Sequence, residues 1–159
     1  MQIKVTVEQY KRITESQGIP MDTKVISEQY GGSSFSMGSI DYSHLSKRIS
    51  ESRRSDRWSG KYVKLHNNTT LERIDNHTVG IKFHRTFIVK VDVTNTIEID
   101  CDGYARTPIT RLRLEDTLYS RGVRFSVTRN VVYMHVNGET YVYEDGVILL
   151  PNDDVILPE

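Results

Sequence analysis

The densest chemistry in the sequence lies between Lys47 and Lys64. Lys47, Arg48, Arg53, Arg54, Arg57, Lys61 and Lys64 stand there against Glu51 and Asp56, with Trp58 and Tyr62 interleaved. Cations that release counterions and aromatic faces that stack on bases suit a phosphate-backbone ligand. Arginine adds a bidentate grip on phosphate. Arg53, Arg54, Arg57, Trp58, Lys61 and Tyr62 are therefore the leading candidates for contact with DNA, RNA or an acidic protein surface. Arg106, Arg111 and Arg113 extend that surface if the helix following Pro108 lies nearby. The bland reading of the same cluster is an arm whose charges only solvate it.

A second constellation is His84-Arg-Thr86. On a strand, alternate residues share a face, so His84 and Thr86 would point together. Two-histidine phosphoesterases use such a pair on each of two strands, with the histidines as acid and base across one phosphate. Cyclic oligonucleotides would be the substrate class. The only other match, His44-Leu-Ser46, falls in a serine-rich stretch. The alternative is that His84 merely ends a strand, which leaves the chain without a catalytic residue.

The C-terminal end mirrors the basic cluster. Glu139, Glu144, Asp145, Asp153, Asp154 and Glu159 occur there with no Lys or Arg among them. This is either a solvated rim or a face that contacts the basic arm, in cis or in a homo-oligomer. It could equally imitate phosphates in a partner's groove, making the chain a protein-binding inhibitor. Val155-Ile-Leu157 would let the tail dock as a strand.

Other signals are weak. The single cysteine, Cys101, lies between Asp100 and Asp102, which disfavour a thiolate; it reads as a buried, inert thiol. Asp100, Asp102 and Glu98 read as an acidic hairpin tip rather than a cation site. No Cys/His spacing suggests zinc, and no phosphate-loop or dinucleotide fingerprint is present, so no metal and no cofactor are expected.

These residues must be positioned by three unequal parts. Residues 1–18 begin with a short apolar stretch and continue as a helix capped by Thr6, with Val7, Tyr10 and Ile13 on one face. Residues 19–60 read as a linker or arm, since ten of the thirty residues from 31 to 60 are serine. Asp41 to Ser52 could form a short helix showing Leu45 and Ile49. Residues 61–159 read as β, in short runs punctuated by Asp75-Asn76, Thr94-Asn95, Asp102-Gly103, Arg129-Asn130, Asn137-Gly138 and Asp145-Gly146. Asn137-Gly138 is the strongest hairpin signal. Thr107-Pro108 opens one inserted helix, with Ile109, Leu112 and Leu118 toward the sheet and Arg111, Arg113 and Glu115 elsewhere. The expected fold is β-rich (α+β): an antiparallel meander or small barrel with one inserted helix, an N-terminal helix and a basic serine-rich arm. Its edge strands need cover from the N-terminal segment or a partner.

Leu65-His-Asn-Asn-Thr-Thr-Leu-Glu-Arg73 resembles the opening of a family of small phage-encoded proteins without assigned function, which carry Asn-Asn-Thr-x-Leu-Glu-Arg. Gly80-Ile-Lys-Phe-His-Arg-Thr86 is similar to their following strand, which ends in Leu-His-x-Thr. Gly103-Tyr-Ala-Arg-Thr-Pro-Ile-Thr-Arg-Leu-Arg113 is similar to their Gly-Trp-Arg-Thr-x-x-Thr-Lys-x-Arg, with one extra residue and Tyr104 in place of tryptophan. Val131 to Gly146 resembles their closing valine-and-tyrosine hairpin. The resemblance covers residues 65–150 and implies a viral origin without implying a reaction.

Composition sets the remaining limits. The 159 residues hold 21 basic and 21 acidic side chains, a formal net charge of zero. No global field draws such a chain to nucleic acid. The zero is the sum of a basic segment and an acidic end, so the distribution carries more information than the total. One cysteine suits a reducing compartment. No apolar run is long enough to span a bilayer, and charges interrupt the first residues where a signal peptide would need an apolar stretch. The expectation is a non-enzymatic phage accessory protein in the host cytoplasm, not on a membrane. It would bind nucleic acid, or a host protein or ribonucleoprotein complex, and interfere with host defence or gene expression.

Overall fold

The computed structural model describes residues 4–6, 35, 37–58 and 60–159. The helix expected from Thr6 to Gly18 lies outside the described residues, apart from Thr6 itself. Within them the chain is β-rich, with two antiparallel sheets and two α-helices.

The large sheet is a meander. Its strands are β2 (Ser55–Asp56), β3 (Gly60–His66), β4 (Thr69–Arg73), β5 (Thr78–Phe83), β6 (Thr86–Asp92), β7 (Ile97–Ile99), β11 (Val147–Leu149) and β12 (Val155–Ile156). They pair in the order β12-β11-β7-β6-β5-β4-β3-β2. Register explains its core. Val63, Leu71, Ile81, Val89, Ile99 and Val147 stand opposite one another in a row across six strands. Directly opposed residues share a face, so this row is one apolar stripe. The neighbouring row on the reverse face carries Glu72, Gly80, Lys90 and Glu98, where Lys90 pairs with Glu98 at 2.9 Å. Gly80 is required there: a Cβ would lie 2.5 Å from the Phe87 ring and 2.8 Å from the end of Ile74.

The small sheet contains β1 (Lys4–Thr6), β8 (Arg124–Thr128), β9 (Val131–Val136) and β10 (Glu139–Val142), in the order β1-β10-β9-β8. Asn137 and Gly138 both hold positive φ, 51° and 74°, as a two-residue hairpin turn requires. As expected, an N-terminal segment covers an edge: β1 pairs with β10. His135 on β9 bonds the Ser126 hydroxyl at 2.7 Å and the Thr140 hydroxyl at 2.8 Å. Burial pushes its pKa down to about 4 from 6.5. The unfolded imidazole takes its proton near the ordinary value, while the folded one resists to about 4. Stability is therefore full above about pH 6.5 and is lost as the pH falls toward 4. At about 1.4 kcal/mol per pH unit, the loss reaches about 3 kcal/mol. Urea melts at neutral and mildly acid pH should show His135→Gln losing less than the parent. Equal losses would contradict the assignment.

Helix α1 (Tyr42–Glu51) packs on β3, β4 and β5. The interior of its sequence is polar except at Leu45 and Ile49, four residues apart, and these two are buried in the core with Met37 and Ile40. Arg73 fastens the outer face through Ser46 Oγ at 2.6 Å and Tyr42 Oη at 3.2 Å. The boundary drawn at residue 61 is thus too late. Residues 37–51 of the supposed arm belong to the β-rich unit, because two spaced apolar residues supply a face despite the surrounding serines.

Helix α2 (Pro108–Leu118) begins at Thr107-Pro108 as expected. Its environment differs from expectation. It touches β5 and β6 of the large sheet and β8 of the small one, and every residue from Thr110 to Leu118 is buried. A helix between two sheets has no solvent face, so Arg111, Arg113 and Glu115 do not point into water. Glu115 Oε1 accepts the Phe125 backbone N–H at 2.6 Å, joining helix to small sheet.

Candidate functional site

The basic-aromatic cluster forms a projecting hairpin. Helix α1 ends at Ser52, whose hydroxyl donates to the Tyr62 carbonyl at 2.5 Å and accepts the Arg54 N–H at 3.1 Å. β2 then pairs with the start of β3 through Ser55–Lys61 and Asp56–Gly60. Asp56 caps the turn by accepting the Trp58 N–H at 2.8 Å, and Gly60 supplies a φ of +69°. Lys61 Nζ reaches back to the Ser50 carbonyl at 2.7 Å. The loop is therefore tied to a helix that is itself anchored in the core.

On this hairpin Trp58 is 90% exposed, and the Arg57 guanidinium lies 5.5 Å from its ring centroid. Arg53, Arg54, Arg57 and Lys61 are exposed, and Tyr62 is half-buried. The arrangement offers an exposed aromatic ring with one guanidinium over it, on a hairpin that carries three further exposed cations.

The other arginines do not join it. Arg111 is buried and donates to the Ala105 and Arg106 carbonyls. Arg113 is 3% exposed, 3.3 Å from Asp116 Oδ2, 2.9 Å from His66 Nδ1, and 5.9 Å from the Phe35 ring. Both are structural, because α2 is enclosed. Burial lowers the Arg113 pKa, against the raising effect of Asp116. Arg106 is exposed, but its 3-10 turn, Tyr104–Arg106, follows β7 at the opposite end of the sheet from Trp58.

The acidic end does not meet the basic hairpin along the sheet. β12 forms one edge of the large sheet and β2 the other. Seven strand spacings of about 4.8 Å separate them along the sheet, roughly 33 Å. β12 does dock as a strand, as Val155 and Ile156 suggest. Asp153 pairs with Arg121. Asp145 accepts the Cys101 and Gly103 N–H groups at 2.7 and 2.6 Å and the Tyr143 hydroxyl at 2.7 Å. Part of the acidic end is thus spent on internal bonds.

His84 and Arg85 form the two-residue turn between β5 and β6, with His84 at φ 54°. The strand ends at Phe83, so alternation does not carry His84 and Thr86 onto one strand face. His44-Leu-Ser46 lies on α1, not on a second strand. His84, Arg85 and Thr86 instead line a cleft of about 880 Å³ with Asn68, Tyr104, Thr107 and Thr110. Cys101 lies at its apolar floor with Phe83, Ile88 and Ile109. Burial, then Asp145 and Asp100, push that thiol up to about 12, against a hydrogen bond from Tyr143. The thiol is buried, as expected. Among the described residues, no group of three or more His, Cys, Asp or Glu side chains is arranged to hold a metal ion. Among the described residues, no helix is long and apolar enough to cross a membrane.

Sequence reasoning missed the cleft. Its signal was topological: in an antiparallel meander every second turn falls at the same end, which brings together Asn67-Asn68, His84-Arg85 and Asp102-Gly103. No protein-family model, no curated protein and no solved structure matches the chain.

Proposed function

We propose that the chain is a non-enzymatic accessory protein that binds single-stranded nucleic acid, free or within a host ribonucleoprotein complex, through the β2–β3 hairpin. One observation carries this reading: Trp58 stands almost wholly in solvent on its turn, with Arg57 over it and the exposed Arg53, Arg54 and Lys61 close by in sequence. Burying an indole against neighbouring apolar residues would stabilise the fold, and here that stabilisation is forgone. Stacking on a base recovers it, while the surrounding cations neutralise the backbone. The zero net charge does not oppose this, because the balancing carboxylates lie elsewhere. The resemblance over residues 65–150 supports a phage origin, and interference with host defence or gene expression would suit a small non-enzymatic phage protein.

Titration of labelled single-stranded DNA and RNA at two salt concentrations tests the reading. Four phosphate-neutralising cations give a slope of about −3 in log K against log salt, so a fourfold rise in salt should weaken binding roughly fifty-fold. Replacing both Arg53 and Arg57 with alanine should reduce that slope by about 1 to 1.5. Absence of binding at low salt would end the proposal.

A further inference from the structure

The cleft lined by His84 and Arg85 is separate from the Trp58 hairpin. β3 runs from one to the other, and its length at about 3.3 Å per residue places them some 23 Å apart. The cleft's volume, about 880 Å³, lies within the range of small-molecule sites and far exceeds a single inorganic anion.

Three kinds of group converge there. Arg85 and His84 are exposed on the turn and form no ion pair among the described residues. The first turn of α2 contributes Thr107, Ile109 and Thr110 to the wall. That turn contains no acidic residue, and Thr107 makes no side-chain cap. Its N–H groups and the positive end of the helix dipole are therefore uncapped by the helix's own side chains. Thr110 is 3% exposed and its hydroxyl has no hydrogen-bond partner among the described residues. A hydroxyl at the cleft wall without a protein partner is available to bond a ligand there. The third group is Tyr104, 61% exposed, whose ring can stack on a planar ligand. Asp102 supplies the lining's only carboxylate.

We infer that this cleft binds a nucleoside monophosphate. The phosphate lies against Arg85, His84, the Thr110 hydroxyl and the α2 N-terminus. The base stacks on Tyr104. Asp102 repels the phosphate and accepts hydrogen bonds from ribose hydroxyls or base amino groups, which sets the ligand's direction in the cleft. The proposal is one of binding, in which no bond is made or broken.

Calorimetric titration of the full chain with AMP, UMP, adenosine and inorganic phosphate tests this. AMP or UMP should bind saturably and at least tenfold more tightly than either adenosine or phosphate. Arg85→Ala should weaken the nucleotide tenfold or more and leave adenosine unchanged. Tyr104→Ala should weaken nucleotide and adenosine alike. Thr110→Val keeps the side-chain shape and should weaken nucleotide and phosphate severalfold. Trp58→Ala should change none of these values, which separates the cleft from the hairpin. No saturable nucleotide binding at millimolar concentration would overturn the inference. So would phosphate binding as tightly as AMP, nucleotide binding indifferent to both Arg85→Ala and Tyr104→Ala, or nucleotide binding abolished by Trp58→Ala.

Discussion

Arg113→Ala should destabilise the fold by about 3–5 kcal/mol at neutral pH, the range for removing one partner of a buried ion pair. The guanidinium is enclosed on α2 and is the cation 3.3 Å from Asp116, a carboxylate that is itself buried. It also joins three parts of the chain that are distant in sequence. His66 ends β3 and receives one amino group; Phe35 lies beneath the guanidinium and donates its N–H to Asp116 at 3.4 Å. Truncation therefore leaves a buried negative charge short of a partner and opens a void between helix and sheet. For a domain whose whole stability is about 5–15 kcal/mol, this is a large fraction. Chemical denaturation of the parent, Arg113→Ala and the double replacement Arg113→Met with Asp116→Leu checks it. The double variant should recover most of the loss, because removing both charges removes the desolvation problem. A single variant within about 1 kcal/mol of the parent would show that the pair contributes little. The result also guards against misreading: a binding defect in an Arg113 variant would reflect unfolding rather than lost phosphate contact.

Arg113 marks where the sequence stops being legible. The β-rich class, the hairpin at Asn137-Gly138 and the start of α2 at Pro108 were readable because each rests on local rules: alternation, positive φ and a missing donor. The burial of α2 rests on what packs against both of its sides. A helix reading Pro-Ile-Thr-Arg-Leu-Arg-Leu-Glu-Asp-Thr-Leu has no apolar stripe, and local rules assign its charges to solvent. Two sheets enclose it, and its charged groups bond internally: Arg113 to Asp116 and His66, Glu115 to the Phe125 N–H, and Arg111 to the Ala105 and Arg106 carbonyls. Composition misled in the opposite direction at α1. Serine content suggested a free arm, but Leu45 and Ile49 seat the helix in the core. The candidate site follows the same division. The hairpin cluster is contiguous in sequence, so its types and spacing were visible at once. The cleft draws on residues from Asn68 to Thr110, and only the pairing order of the meander brings them together.

Trp58→Ala should lower affinity for a single-stranded oligonucleotide by about 1–3 kcal/mol, the contribution of one base stacked on an aromatic side chain. At 25 °C this is about five- to 150-fold. The salt slope should stay near the parent's, because the substitution removes stacking and leaves the cations in place. Opposite behaviour is expected of the Arg53 and Arg57 replacements, which change slope first. Stability should move by less than about 0.5 kcal/mol, since the indole is 90% exposed and supports nothing beneath it. Trp58→Phe should restore part of the affinity, as a smaller ring still presents a face. The measurement is direct because Trp58 is the chain's only tryptophan. Its emission should resemble that of indole in water and be quenched as oligonucleotide is added, with a midpoint matching that from labelled ligand. Emission unchanged at saturating oligonucleotide would place the contact elsewhere. A Trp58→Ala variant that binds like the parent would reduce the hairpin to an electrostatic loop. The two variant classes thus divide the interface into a stacking part and a charge part, each with its own readout.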